Sequence, residues 1–413
     1  MPSDPDPGGE EPPAIELTLD VSAVPQRPAG AGRYIVELAR ALATREDVGL
    51  ELVARRGDGS RWPAVAPGAA VHELVPARRP ARLAYERLWL SRRLEVARRT
   101  GAPGREGASA RAKAPPVYHG PHYTLPGGLP PGLGRVVTIH DLTFFDHPEW
   151  HERSKVRFFR SAIVRSARVA DAVVCVSTTT ARRLGELVAV RGEVVVAEHG
   201  VDHGRFRPTE LSEGARAKLA ELVGGEGELV VHVGTLEPRK GVVDLVEAFG
   251  RLAPSRPRLR LALAGIPGWG AAEVEAAVSR SAHRDRIAVL GWVPDETVSA
   301  LLGAAAVVAY PSREEGFGLP ALEGMAAGAP LVTTAGTAMA EFSKGVAWLA
   351  EPGRPDSLAA ALEAALGAPA EERERRLRAG LAAAAGFTWA RTAEAHLQAY
   401  RIAAAAASRR RRH

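Results

Sequence analysis

Short apolar runs rich in Val, Ile and Leu alternate with segments of helical periodicity along most of the chain. This alternation is typical of parallel β-sheets whose strands are joined by crossover helices. The runs form two series, one over residues 14–201 and one that begins near Leu229. The predicted strands of the first series are 15–19, 136–140, 172–176 and 194–197, and those of the second are 229–233, 259–264, 287–290, 306–310, 331–333 and 346–349.

The segment between the two series has the composition of a hinge. Residues 202–214 carry Gly204, Pro208 and several charges, which favour an irregular connection. The pattern therefore predicts an α/β protein in which two doubly wound domains face each other. We expect a disordered leader over 1–13, a first domain over 14–203 with a mobile insertion near 100–116, a second domain over 204–386, a C-terminal helix over 387–407 and a basic tail over 408–413.

Composition excludes several classes of protein. Hydrophobic residues at 46% and charged residues at 25% are ordinary for folded globular chains. The single cysteine, Cys175, cannot form an intramolecular disulfide, and no Cys/His spacing suits structural zinc. The start lacks the charge order of a signal peptide, and no apolar run reaches the roughly 18 residues that span a bilayer. We expect a cytoplasmic protein whose only membrane contact would be peripheral, at the inner face.

The basic charge is concentrated at one end of the chain. The net charge of +6 comes from 54 basic and 48 acidic residues, and the four arginines at 409–412 supply most of the excess. A duplex-binding protein usually spreads its charge over the folded part, so we do not expect a nucleic-acid partner. Residues 81–99 predict a basic amphipathic helix, which could be a solvated face or could contact an acceptor or anionic lipid.

In open parallel sheets, ligands bind beyond the carboxyl ends of the strands. A first candidate is the loop with Gly30 and Gly32, which leads into an amphipathic helix whose free N–H groups suit an anion. It is not a full dinucleotide fingerprint, because Ile35 fills the third glycine position, and it could be an ordinary turn.

A second candidate is His140 with Asp141. His140 could bond a sugar hydroxyl or stabilise a transition state, and Asp141 could orient it or meet an acceptor hydroxyl, although a strand-end histidine can also be purely structural.

A third candidate is the segment 234–241, GTLEPRKG, between a predicted strand and a helix predicted over about 242–252. Adjacent Arg239 and Lys240 at a helix start can bind a diphosphate. Lys240 is one of five lysines in a chain that otherwise uses arginine. The segment therefore favours a phosphate-binding role.

The fourth candidate, EGFGLPALE over 315–323, follows another predicted strand. Pro320 suits the first turn of a helix, and Gly328 suits its end. Glu315 then lies on the loop and Glu323 on the helix, and carboxylates accept paired hydrogen bonds from vicinal hydroxyls. One carboxylate could hold a hexose and the other a ribose, unless Glu323 is an ordinary solvated helix residue.

Taken together, these phrases resemble the family-4 retaining glycosyltransferases, whose GT-B fold has two Rossmann-like domains. The resemblance covers residues 21–401. Gly241 stands where many members have Asn, and Ala340-Glu341-Phe342 departs from the family's Glu-Val neighbourhood. The phrases that carry it are VHVGTLEPRKGVVDLVEAF, LGWVPDETVSALLGAAAVVAYPSREEGFGLPALEGMAAGAPLV, AEHGVDHGRFRP, FTWARTAEAHLQAYR, AGAGRYIVELARAL and IHDLTFFDHPEW.

The resemblance implies roles for individual residues. Arg239 and Lys240 would neutralise the nucleotide diphosphate leaving group, Glu315 would hold donor-sugar hydroxyls, and His140 would touch the sugar near its reacting carbon. Asp141 would lie on the acceptor side. The residues expected to bind the donor are Gly30, Gly32, Gly234, Gly316, Phe317, Gly318, Leu319 and Glu323, the last of these at the ribose.

The same resemblance implies a reaction without a resident cofactor or metal and without a protein general base. The one Asp-x-Asp triplet, at Asp4 and Asp6, lies in the leader and is taken as accidental. GDP-mannose is the leading donor, since VGTLEPRKG resembles bacterial mannosyltransferases of polysaccharide assembly, and UDP-hexoses come next. The acceptor would be a saccharide, a lipid or a natural product.

Two other classes of function remain open at this point. A sugar-nucleotide epimerase or hydrolase on a similar fold would bind the same donor but activate water or the sugar itself. A non-catalytic sugar-nucleotide-binding subunit would keep the fold without the reaction. Rapid consumption of donor in the absence of acceptor distinguishes the first from a transferase, and the presence of the charged candidates argues against the second.

Overall fold

The computed structural model describes residues 14–77 and 115–412. The predicted leader, the predicted basic helix over 81–99 and nearly all of the predicted insertion over 100–116 lie outside these residues. The strands are β1 Ile15–Asp20, β2 Val48–Arg55, β3 Ala70–Val75, β4 Val117–Gly120, β5 Gly134–Ile139, β6 Ala172–Cys175, β7 Glu193–Val196, β8 Glu228–Val233, β9 Leu259–Ala264, β10 Ile287–Gly291, β11 Val307–Tyr310, β12 Leu331–Thr334 and β13 Trp348–Ala350.

Helices follow most of the strands. They are α1 Ala31–Ala43, α2 Trp62–Val65, α3 Thr143–Asp146, α4 Arg153–Val169, α5 Thr178–Leu187, α6 Glu213–Leu222, α7 Val242–Leu252, α8 Ala271–Arg280, α9 Asp295–Ala304, α10 Leu319–Ala326, α11 Ala338–Phe342, α12 Pro355–Leu366, α13 Ala370–Ala385 and α14 Trp389–Arg411. Short 3-10 turns include Pro238–Lys240.

The strands form two parallel sheets, one in each half of the chain. The first has the order β3-β2-β1-β4-β5-β6-β7 and the second β10-β9-β8-β11-β12-β13. In both orders the chain reverses its direction of winding next to the first strand, between β1 and β4 and between β8 and β11. Ligands of doubly wound folds bind at this switch point. The expected pair of Rossmann-like domains is confirmed, and the topology places a crevice in each.

Three strands of the first sheet, β2, β3 and β4, do not appear among the predicted strands. β2 (VGLELVAR) carries Gly49 and Glu51 between its apolar residues, which is a weaker signal than a continuous apolar run, and β3 is an edge strand with one buried residue. β4 has four residues, all buried, and one of them is the polar His119. Short strands with a buried polar side chain carry little hydrophobic signal.

The last strand is also displaced from its expected place. The prediction put it at 346–349, whereas β13 spans Trp348–Ala350. The N–H groups of Val346 and Ala347 both donate to the Ser343 carbonyl at 3.0 Å. These residues therefore form a turn after α11, and pairing with β12 begins only afterwards.

Helix α14 crosses back from the second domain to the first sheet. Its buried residues include Leu397, Tyr400 and Ala403, which lie in the same core as β1 and α1. The helix continues to Arg411, past the predicted end at Ala407. Arg410 pairs with Asp171 of the first domain, so arginines assigned to a basic tail belong to the helix.

Candidate active site

Three of the four segments selected from the sequence follow β1, β8 and β11, the strands beside the two switch points, and the fourth follows β5. The structure brings the segments after β8 and β11 into contact. Lys240 forms an ion pair with Glu315, and both side chains are nearly buried, 11% and 12% exposed. The pair thus joins the predicted phosphate-binding segment to the acidic loop.

The backbone of the predicted phosphate-binding segment is held in a tight turn. Lys240 ends the 3-10 turn Pro238–Lys240, and Gly241 follows with φ of 70°, in the left-handed region that Gly and Asn adopt most readily. A side chain at this position would overlap the carbonyl oxygen of Pro311. The left-handed turn and the close approach of Pro311 together explain why this position is Gly.

One oxygen of Glu315 receives all the hydrogen bonds that the described residues donate to this carboxylate. Besides Lys240, Oε1 accepts from Ser312 Oγ at 2.8 Å and from Tyr310 Oη at 3.2 Å. Tyr310 is the last residue of β11, so the strand end itself orients the carboxylate. Oε2 is left to accept a hydrogen bond from a ligand.

The cations around Glu315 keep it ionised. Burial alone would raise the pKa of Glu315, but Lys240 and Arg239 outweigh burial and lower it. Burial and the neighbouring Arg239 lower the pKa of Lys240. Arg239 itself donates to Glu237 at 2.6 Å and lies close enough to Glu315 to interact with it electrostatically. Each cation already has a carboxylate partner, and each has further N–H groups that can donate to an incoming diphosphate.

His140 brings the first domain to the acidic loop. Gly316 packs so closely on the His140 carbonyl that a side chain at position 316 would overlap it. The buried imidazole has Nε2 at 2.8 Å from the Pro121 carbonyl, which fixes Nε2 as the protonated nitrogen. Burial lowers the pKa of His140, so the ring is neutral and Nδ1 is an acceptor.

The remaining predicted residues surround this contact. Asp141 Oδ1 accepts from Thr143 Oγ1 at 2.9 Å, on the first-domain side. Gly318, with φ of 101°, begins helix α10, in which Pro320 occupies the first turn as expected. Phe317 and Leu319 are buried in the second-domain core. The loop therefore supplies backbone N–H groups rather than these two side chains to a ligand.

The glycine loop lies at the opposite wall of the cleft. Gly30, with φ of 49°, precedes helix α1, and Gly32 packs on Pro25. Arg33 of the same helix reaches across the cleft to Glu323, with Nη1 and Oε1 3.8 Å apart. Glu323 is 6% exposed, so it is not the solvated helix residue that was the alternative.

Several residues at the cleft were missed by sequence reasoning. Tyr310 and Ser312 could have been found, because they stand at the carboxyl end of a predicted strand. His199 could not, because only the fold places its ring between Tyr34 and Phe317, with centroids 4.8 and 4.9 Å away. Glu341 likewise accepts from the Thr179 N–H across the domains at 2.8 Å.

No three His, Cys, Asp or Glu side chains within residues 14–77 and 115–412 are grouped so that they could hold a metal ion. In the same ranges, each helix is too short or too polar to cross a bilayer.

Comparison with known proteins agrees with the geometry. Residues 28–205 match the model of glycosyltransferase family 4, and residues 217–382 match that of glycosyl transferases group 1. The O-antigen chain mannosyltransferase B of Escherichia coli is 30% identical over 302 residues, which cover 73% of this chain and 78% of that protein. The chain belongs to the group 1 glycosyltransferases. It is thus an enzyme that transfers a hexose, and the non-catalytic alternative is set aside.

Other relatives of this glycosyltransferase are named for other activities. The D-inositol 3-phosphate glycosyltransferase of Kribbella flavida is 29% identical over 95% of this chain and 98% of its own. Among solved structures, sucrose-phosphate synthase of Thermosynechococcus elongatus aligns with a TM-score of 0.68 at 22% identity, over 94% of this chain and 98% of that one. HepE of Anabaena, in complex with UDP and glucose, aligns with a TM-score of 0.68 at 18% identity, over 93% and 98%. These two structures share the GT-B fold.

Proposed function

We propose that this enzyme transfers mannose from GDP-mannose to a saccharide, lipid or natural-product acceptor, with retention of the anomeric configuration and without a metal ion. UDP-hexoses are the second donor class. The observation that carries the proposal is the buried Lys240–Glu315 pair at the second switch point, in a loop that touches His140 of the other domain. This arrangement unites two cations, a buried carboxylate and a residue from the facing domain in one cleft.

The cations stabilise the leaving group. Breaking the bond between the anomeric carbon and the phosphate oxygen develops negative charge on the diphosphate and positive charge on the sugar. Arg239 and Lys240 meet the negative charge, together with the N–H groups of Gly316 to Gly318 at the start of helix α10. Because these groups are held in place before the donor arrives, little reorganisation accompanies the reaction.

The carboxylates and the histidine orient the donor. Oε2 of Glu315 accepts from hydroxyls of the hexose, while its anchored Oε1 keeps the carboxylate in position. Glu323 accepts from the ribose, and Nδ1 of neutral His140 accepts from a sugar hydroxyl near the reacting carbon. Gly30 and Gly32 let the diphosphate approach the first domain.

The acceptor then attacks on the face from which the phosphate leaves. The acceptor oxygen bonds to the anomeric carbon, the bond to the phosphate oxygen breaks with its electrons on that oxygen, and the acceptor's proton moves to the same oxygen. No protein base is needed. The E. coli relative named as a mannosyltransferase supports mannose as the sugar and polysaccharide assembly as the setting.

A donor screen tests this proposal. Purified enzyme is incubated with GDP-mannose, UDP-glucose and other UDP-hexoses, with and without mixed saccharide and lipid acceptors, and release of GDP or UDP is measured. We expect acceptor-dependent release from GDP-mannose, and proton NMR of the product should show a retained anomer. An inverted anomer overturns the retaining mechanism. Equally rapid release without acceptor would favour a hydrolase, and conversion of the donor to its epimer without release of GDP or UDP would favour an epimerase.

Matched variants link the activity to the site. Lys240→Ala and Glu315→Ala should each lower transfer on the order of 100-fold or more, the effect of removing one preorganised charge-stabilising group. Lys344→Ala and Glu351→Ala change exposed residues and should keep the parent rate. If Lys240→Ala or Glu315→Ala is folded and transfers at the parent rate, the assigned roles are wrong.

A further inference from the structure

Arg33 is the cation that the described structure places beside Glu323. It lies in the first turn of α1, next to Gly32, and its guanidinium bridges two carboxylates of the second domain. Nη2 donates to Asp295 Oδ1 at 2.6 Å, and Nη1 lies 3.8 Å from Glu323 Oε1. One residue of the first domain thus contacts both carboxylates across the cleft.

Glu323 needs such a partner because it is held out of water. Its side chain is 8% exposed, and within the described residues no hydrogen-bond donor reaches its carboxylate. A buried, ionised carboxylate without a nearby cation is costly. The gap of 3.8 Å to Arg33 keeps the charge balanced but leaves the oxygens open to hydrogen bonds from a ligand.

We propose that Arg33 is a positioning residue for donor binding, which holds Glu323 ionised and oriented so that this carboxylate can accept the ribose hydroxyls of the nucleotide. The inference rests on the proposed function, since it takes Glu323 as the ribose-binding residue. It adds to that function a cation from the opposite domain, so the ribose site is complete only when both domains contribute.

The charged and titratable groups around Glu323 determine how each substitution changes the pKa of this carboxylate. They come from α1 with Arg33 and Glu37, from the linker with Arg205, from α9 with Asp295 and from the end of β11 with Tyr310. Burial raises the pKa of Glu323, Arg33 and Arg205 oppose that rise, and Asp295 and Glu37 add to it. Removal of Arg33 therefore raises the pKa of Glu323 further, whereas removal of the Asp295 charge lowers it.

The opposite effects of these two changes on the pKa of Glu323 distinguish an electrostatic role of Arg33 from a merely structural one. Arg33→Gln and Asp295→Asn both break the same interdomain ion pair, so a merely structural role predicts the same change for both. Our inference predicts opposite changes. Affinities for GDP and 2′-deoxy-GDP, with UDP and 2′-deoxy-UDP in parallel, are measured by calorimetry from pH 5.5 to 8.5.

The parent should bind the ribose nucleotide roughly 10- to 100-fold more tightly than its 2′-deoxy analogue, the effect of a hydrogen bond to a charged group. In Arg33→Gln this preference should fall to about 3-fold or less at neutral pH and recover as the pH rises. In Asp295→Asn the preference should persist at neutral pH and extend to lower pH. Arg33→Lys keeps the charge and should retain most of the preference, and Arg182→Gln, at an exposed ion pair, should match the parent.

The outcomes distinguish the two proposals. If the parent binds neither GDP nor UDP, the proposed function fails and this inference with it. If the parent shows the preference and Arg33→Gln keeps it at every pH, or if Asp295→Asn loses it equally, only the role of Arg33 is overturned. Arg33→Met replaces Arg33→Gln if the latter does not fold.

Discussion

Glycine 316 shows how a single residue links the two domains. Its backbone lies against the His140 carbonyl, at the place where the acidic loop of the second domain meets the end of β5 in the first. Thr180 Oγ1 of the first domain also donates to the Gly316 carbonyl at 3.3 Å. The absence of a side chain therefore sets the distance between Glu315 and His140, the two groups proposed to hold the donor sugar.

We expect Gly316→Ala to lower kcat/KM for transfer on the order of 100-fold, because a displacement of about 1 Å at reacting groups has effects of that size. The measurement is initial-rate kinetics, accompanied by circular dichroism to confirm folding. Gly250→Ala is the matched control, since a side chain there meets no other atom and Ala favours the helix α7. A Gly316→Ala variant with parent kinetics would show that the loop tolerates the displacement.

At the scale of elements, helix α14 holds the end of the chain on the first domain. Arg410 pairs with Asp171 and donates to the carbonyl oxygens of Pro131 and Leu133 at 2.9 and 3.0 Å. Asp171 in turn accepts from the Arg135 N–H at 2.9 Å. Arg410 therefore anchors the last turn of the helix beside β5, the strand that directly precedes His140.

We expect Arg410→Ala to lower the free energy of unfolding by about 1–3 kcal/mol, the range for losing hydrogen bonds to a charged group. Urea denaturation followed by circular dichroism measures this change. Arg409→Ala removes an exposed arginine from the same turn and should change the free energy of unfolding by less than about 0.5 kcal/mol. Equal effects of the two variants would mean that the ion pair with Asp171 contributes nothing specific.

At the scale of the whole molecule, five of the histidines that the structure describes are buried in the interior. Burial lowers the pKa of His119, His140 and His199, and it lowers that of His232 and His396 to about 4. The unfolded chain, with histidines near their ordinary pKa of about 6.5, binds more protons than the folded one as the pH falls. The stability due to neutral histidines is thus complete above about pH 6.5 and is lost towards pH 4.

We therefore expect the free energy of unfolding to fall between pH 6.5 and 4, by up to about 1.4 kcal/mol per pH unit for each titrating histidine. Urea denaturation at a series of pH values measures the slope. A free energy of unfolding that is constant over this interval would contradict the expectation.

Much of the second domain could be predicted from the sequence because its signals are local. Strand β9 and helix α7 have the predicted bounds, since continuous apolar runs and helical periodicity are set by neighbouring residues. Because ligands of parallel sheets bind beyond the carboxyl ends of the strands, Lys240 and Glu315 could then be selected. The end of a strand can be located without knowing what packs beside it. The roles assigned to these residues stay predictions until variants are tested.

The sequence alone determined whether most segments are strand or helix, and it located the candidate site residues at the carboxyl ends of the strands. Only the tertiary structure decided which groups meet: Arg33 with Glu323, Gly316 with His140, and the ring of His199 with Phe317. Such contacts join residues far apart in the chain, and they depend on how two sheets face each other and where α14 returns. The pattern of adjacent residues does not specify that packing, so side-chain contacts across the cleft can be identified only in the folded molecule.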